Sequence, residues 1–165
     1  MPTKFRATLA ALSAFAILLT SAPAAEALDS WDVQNENSWL CMEVSGGSST
    51  PGAKVVQNFC DNNSDHQFWE TDRTASWYTF KNYHSHQCLA IGNGSDKAGA
   101  AAIQWPCNGG YEQLWSVANT TGNPRILVNY KSRQCLAVAN AAGEWIAPVI
   151  QWPCNNKAEQ KWSIG

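Results

Sequence analysis

The residues best equipped for chemistry are six cysteines: Cys41, Cys60, Cys88, Cys107, Cys135 and Cys154. A cysteine can act as nucleophile, metal ligand or disulfide partner, and spacing helps to separate these roles. Here the intervals alternate between 19 and 28 residues. None has the two-to-four-residue spacing of structural zinc sites. In an exported protein an even set of cysteines implies disulfides, and six cysteines allow fifteen pairings. The symmetry of the intervals argues for Cys41–Cys60, Cys88–Cys107 and Cys135–Cys154. Each would close a loop of about 20 residues and contribute about 3 kcal/mol. Such pairing leaves no thiol as a nucleophile. His84 and His86 stand two apart on an expected strand, with no third ligand beside them, and read as solvent-exposed. No metal or cofactor is expected. The chain carries no Gly-x-Ser-x-Gly elbow, no His-Glu-x-x-His, no phosphate-cradling glycine loop and no dinucleotide fingerprint. A glycosidase needs two carboxylates about 5–9.5 Å apart, whereas the acids here are scattered. Enzyme activity is not expected.

The cysteine spacing belongs to a longer pattern. Asn35, Asn82 and Asn129 are 47 residues apart, as are Ser38, Ser85 and Ser132, and Gln57, Gln104 and Gln151. So many positions in register mean three copies of one unit, at about 28–74, 75–121 and 122–165. The middle copy illustrates the elements. Residues 78–83 alternate, 87–91 are apolar, 92–99 are turn-rich, and 101–105 form another strand. Asn108-Gly-Gly110 is a turn and 112–117 a fourth strand. Three copies predict an all-β fold of about twelve short strands with pseudo-threefold symmetry. A closed sheet removes exposed edges.

Lys4 and Arg6 precede an apolar run over residues 7–20, and Ala25-Glu26-Ala27 follows. This is the pattern of a secretory signal over residues 1–27, cut after Ala27 or, alternatively, near Ala24. The run is too short to span about 30 Å of hydrocarbon. A secreted, extracellular, monomeric protein without membrane insertion is expected, with one domain over residues 28–165. The whole 165-residue chain has 11 basic and 13 acidic residues, a formal net charge of −2, and no basic cluster. Nucleic acid and anionic membrane are therefore poor partners. Only 15% of residues are charged, and mean hydropathy is −0.30. The polarity comes from Asn, Gln, Ser, Thr and Gly rather than from the high net charge of a disordered chain.

Cys88-Leu-Ala-Ile91 and Cys135-Leu-Ala-Val138, Ile-Gln-Trp-Pro-Cys at 103–107 and 150–154, and Gln-x-Trp at 67–69, 113–115 and 160–162 resemble the ricin B-chain-type lectin family. The resemblance covers residues 28–165. It implies a β-trefoil that binds carbohydrate, leaving no room for a catalytic domain. It also implies that Trp69, Trp115 and Trp162 are buried scaffold.

In that family a sugar meets an aromatic face, a carboxylate and a polar side chain at one spot. The acid lies two residues after the first cysteine of a copy, the aromatic two before the second, and the polar residue just before Gln-x-Trp. Here these positions hold Glu43, Ala90 and Ala137; Asn58, Trp105 and Trp152; and His66, Glu112 and Glu159. No copy keeps acid and ring together. Glu112 and Glu159 are candidates to replace the missing acid beside Trp105 and Trp152. Asn108 and Asn155, which follow the second cysteines, join the candidate set, as do Glu43 and the loop residue Trp145 with its neighbour Glu144. Strand parity puts Ile103, Trp105 and Cys107 on one face. With Ile103 and Cys107 inward, Trp105 would be core unless Pro106 or a bulge turns the chain, so platform and packing both stand for Trp105 and Trp152. Trp31, Trp39 and Trp77 read as packing or surface. A protein-binding trefoil, such as a secreted inhibitor, is the alternative to a lectin, favoured by Ala90 and Ala137. Asn62, Asn93 and Asn119 begin glycosylation triplets.

Overall fold

A computed structural model describes residues 30–118 and 122–165. The expected export segment and the triplet at Asn119 lie outside the described residues. The strands are β1 (Ser30–Asn35), β2 (Cys41–Val44), β3 (Val55–Asn58), β4 (Phe68–Thr74), β5 (Trp77–Asn82), β6 (Cys88–Ile91), β7 (Ala102–Trp105), β8 (Trp115–Ala118), β9 (Ile126–Asn129), β10 (Cys135–Val138), β11 (Val149–Trp152) and β12 (Trp162–Ile164). β1, β4, β5, β8 and β9 pair in that order, and β12 pairs with β1. Arg125 and Trp162 exchange backbone hydrogen bonds at 2.8 Å in both directions, which ties the β9 side of the sheet to β12 and closes a six-stranded barrel. The hairpins β2–β3, β6–β7 and β10–β11 cover one end, touching through bridges Lys54–Ile103, Val56–Pro148 and Ala101–Ile150. A closed barrel capped by three hairpins is a β-trefoil, as the triplicated sequence predicts.

Alternation along the hairpin strands divides core from site. Met42 and Val44, Leu89 and Ile91, and Leu136 and Val138 enter the core with Trp69, Trp115 and Trp162. The intervening residues face the opposite side. The three indoles are wholly buried, and each Nε1 donates to a hairpin carbonyl, Met42, Leu89 or Leu136, at 3.1 Å. Disulfides join Cys41–Cys60, Cys88–Cys107 and Cys135–Cys154, the pairing that the intervals favour.

The residues repeated every 47 positions are buried polar clamps. Gln104 Oε1 accepts from Ser85 Oγ at 2.6 Å, and its Nε2 donates to Ser48 O and Thr50 O in the preceding copy. Gln57 and Gln151 do the same with Ser38 and Ser132. A buried amide is tolerated where its donors and acceptor are satisfied. This corrects the expected inner face of the strand. Ala102 and Gln104 face inward, whereas Ile103 is only partly buried and Trp105 and Cys107 are exposed. Hydrophobicity alone chooses the wrong face because the glutamine is buried by its hydrogen bonds.

Two further expectations are corrected. Residues 111–113 form a 3-10 turn, with β8 starting at Trp115. β5 ends at Asn82, so His84 and His86 lie in the following turn rather than on a strand; both are exposed.

Candidate functional site

Trp105 ends β7 opposite Cys88, and Trp152 ends β11 opposite Cys135. They project on the outer face that Ala90 and Ala137 floor. Trp105 remains 43% exposed and Trp152 46%. Each ring rests against a glycine of the preceding copy: a Cβ at Gly52 would lie 3.7 Å from Trp105 Cζ3, and one at Gly99 3.8 Å from Trp152 Cζ3. Glycine is needed there for its positive φ as well as for the close approach.

Glu112 and Glu159 come from the 3-10 turns Tyr111–Gln113 and Ala158–Gln160. The Gln-x-Trp glutamines place those turns. Gln113 Oε1 accepts from Asn108 N at 3.0 Å, and its Nε2 donates to Pro106 O at 3.0 Å. Gln160 holds Asn155 N and Pro153 O in the same way. The scaffold glutamine thus fastens the segment after each exposed indole to the turn that carries the acid. On the other side, Asn129 Nδ2 donates to Glu112 O at 2.9 Å and Asn35 Nδ2 to Glu159 O at 3.1 Å.

Two open depressions result. The first, about 330 Å³, is lined by Ala90, Asn93, Ile103, Trp105, Glu112 and Lys131, among others. The second, about 270 Å³, is lined by Ala137, Asn140, Ile150, Trp152, Asn155 and Glu159, with Lys157 at its edge. Each brings an exposed indole and a carboxylate to one concave surface, with alanine as floor. Asn155 Nδ2 donates to Glu159 Oε1 at 3.0 Å. Asn108 is exposed outside the first depression and accepts from Gly110 N at 2.8 Å.

Several residues on the walls, or bonded to them, escape sequence reasoning. Lys131 Nζ donates to Gly94 O, and at the equivalent place in the third copy Asn37 Nδ2 donates to Ala141 O at 3.0 Å. Both reach across from the next copy, so only the 47-residue register links them to the site. Asn93 and Asn140 take left-handed φ values of 54° and 55°, and their 47-residue spacing is the signal that would have found them.

The first copy is filled. Glu43 is buried, and its Oε2 accepts from Asn58 Nδ2 at 3.0 Å and Gln67 Nε2 at 2.8 Å, with His66 Nε2 at 3.7 Å. The structure does not bring it beside an aromatic plate. Trp145 joins neither depression; it faces Phe59, with ring centroids 6.3 Å apart. Trp39 is exposed, while Trp77 packs edge-on to Tyr130 at 4.3 Å. Asp32, Cys41 and Cys60 lie close together, but both sulfurs are committed to their disulfide. Burial raises the Asp32 carboxyl above its ordinary pKa, partly offset by a backbone hydrogen bond.

The model of the ricin-type beta-trefoil lectin domain matches residues 29–162. The chain belongs to this family. The structure resembles a designed three-fold symmetric protein, ThreeFoil, at 28% identity and TM-score 0.79, covering 82% of this chain and 96% of that one. It also resembles an exo-beta-1,3-galactanase from Clostridium thermocellum, at 25% identity and TM-score 0.78, covering 82% of this chain but 29% of the enzyme. The C-half of an earthworm R-type lectin, in complex with GalNAc, shares the fold at 14% identity and TM-score 0.66, covering 82% of this chain and 96% of that one. No curated protein matches the chain.

Proposed function

We propose that this ricin-type trefoil is a secreted, monomeric, non-catalytic carbohydrate-binding protein that takes pyranose rings in the depressions of its second and third copies. The observation that carries this reading is the pairing of Trp105 with Glu112 and of Trp152 with Glu159, each on one concave surface. An indole face covers the C–H side of a pyranose by apolar contact. A carboxylate accepts from two neighbouring hydroxyls in charge-assisted hydrogen bonds, and Lys131 or Lys157 supplies a donor at the same rim. Opposite charges at one rim suit a neutral sugar, whose hydroxyls both donate and accept. Two shallow sites on one rigid body compensate for weak single contacts when the ligand is polymeric.

Three disulfides fit an oxidising, extracellular setting, in keeping with residues 1–27 as an export signal. Among the described residues no helix is long and apolar enough to cross a membrane. The protein-binding alternative draws its support from Ala90 and Ala137. The carboxylates of Glu112 and Glu159 supply the acceptor those alanines lack, which favours the sugar.

Replacing Glu112 and Glu159 by Gln keeps shape and removes charge. Calorimetric titration with a saccharide panel is expected to show at least tenfold weaker binding, and unchanged affinity would refute the acid's role. A protein ligand that binds at one site per chain, indifferent to sugar competition, would favour the alternative.

A further inference from the structure

The pseudo-threefold symmetry fails at one junction between copies, and the failure puts large apolar side chains into water. At two junctions a loop glycine, Gly52 or Gly99, lies under the indole of the next copy. At the third, between the last copy and the first, the glycine is replaced by Ile146 and the indole by Asn58. The flanking residues change as well. Trp145 stands where the other loops have Pro51 and Ala98, and Phe59 where the other strands lead into Pro106 and Pro153. Phe59 is 66% exposed, Trp145 56% and Ile146 52%. The two rings lie 6.3 Å apart between centroids, with planes 31° from parallel. Ile146 holds φ at +64°, a region that a β-branched residue enters only under strain.

The backbone under this ridge is pinned by hydrogen bonds. Gln57 Nε2 donates to Ala142 O at 3.0 Å and to Glu144 O at 2.7 Å. Ile146 N donates to Gln57 O at 2.8 Å, and Gln57 N to Ala147 O at 3.0 Å. The loop carrying Trp145 is therefore stitched to the strand that leads into Phe59. A backbone already fixed in place loses little freedom when a ligand covers the rings it carries.

We infer that Phe59, Trp145 and Ile146 form a third saccharide contact, an open platform for the C–H faces of pyranose rings in a polysaccharide; this rests on the carbohydrate reading above. Size selects the occupant. Three side chains fall far short of the roughly 800 Å² per partner that a stable protein interface buries, but suit one or two sugar rings. Position agrees, because Asn58 and Phe59 occupy the places of Trp105 and Pro106. The platform thus takes, at the third junction, the place that the exposed indoles take at the other two. Chemistry separates it from them: Glu43 is buried and committed to Asn58 and Gln67, so the platform stacks without a pocket. It adds avidity to polymer binding and little selectivity.

The test uses Phe59→Ala with Trp145→Ala, both depressions being intact. Against soluble galactose, glucose and N-acetylgalactosamine the variant should bind within twofold of the wild type. Against insoluble galactan, xylan and cellulose its depletion isotherms should weaken at least fivefold for whichever polymer the wild type retains. The indole N–H resonance of Trp145 should shift when an oligosaccharide of that polymer is added to the wild type, a readout independent of how the variant folds. Unchanged polymer retention, or a Trp145 resonance indifferent to oligosaccharide while those of Trp105 or Trp152 respond, overturns the platform and leaves the depressions standing. A sedimentation dimer dissolved by the double substitution also overturns it, by assigning the ridge to a second copy. If no indole responds to any saccharide, the carbohydrate reading itself falls.

Discussion

Trp105→Ala removes the plate of the second-copy depression and leaves the third copy as an internal control. An indole covers about 200 Å² when wholly buried, so the 43% still exposed on Trp105 leaves about 85 Å² for a sugar to cover. At about 25 cal/mol per Å² this is worth about 2 kcal/mol, or roughly 30-fold in Kd. The part of the ring already buried against Gly52 limits the structural cost to about 3 kcal/mol at most. The core indoles and disulfides do not depend on it. Calorimetry with a soluble saccharide should show two sites in the wild type. In the variant one should weaken about 30-fold and the other should keep its affinity. Trp152→Ala should give the mirror result, and the double variant should lose both. A variant that unfolds cooperatively near the wild-type temperature yet binds within threefold at both sites would refute the reasoning. It would show that Trp105 is there to pack on the neighbouring loop.

The remaining predictions concern the scaffold and its surroundings. Gln113→Ala strands Asn108 N and Pro106 O without their partner; thermal unfolding should show a loss of about 2–4 kcal/mol, with sugar affinity falling in the second copy and not the third. Burial makes folded Asp32 hold its proton more tightly than the unfolded chain does, so stability falls as pH rises from the ordinary carboxylate value through the raised one, and the penalty is complete above it. Asp32→Asn should therefore be more stable than the wild type at pH 7 in denaturant titrations, with the difference closing below about pH 4. Asn93 begins a glycosylation triplet and lines the first depression, whereas Asn140 in the second is followed by Ala141-Ala142. Expression in a glycosylating host should lower sugar stoichiometry by one site wherever mass spectrometry finds Asn93 modified, and enzymatic removal of the glycan should restore it.

Much of the fold was legible because the chain repeats itself. The intervals between cysteines named the disulfides, and the 47-residue register of Asn35, Ser38 and Gln57 marked interactions that each copy must make with its neighbour. The Gln-x-Trp triplets read as core only through the family resemblance, and the structure buries Trp69, Trp115 and Trp162 completely. The candidate site was legible in part. The missing acid two residues after Cys88 and Cys135 points to Glu112 and Glu159 as its replacements, and the structure has both on the same surface as Trp105 and Trp152. Parity was right about which residues share a face and wrong about which face is inner. Nothing in the pattern of apolar residues announces that Gln104 is buried.

What the sequence determined by itself was therefore everything that recurs: the three copies, their pairing of cysteines, and the elements between them. Recurrence reports local conformation and the contacts common to all copies. Only the tertiary structure decided what the positions that break the repeat do in space. It sealed Glu43 under Asn58 and Gln67, brought Lys131 and Asn37 across from neighbouring copies, and set Trp145 beside Phe59. The contacts of Asn37 with Ala141 and of Trp145 with Phe59 join residues far apart in the chain, and they follow from closing the barrel, which brings the last copy against the first.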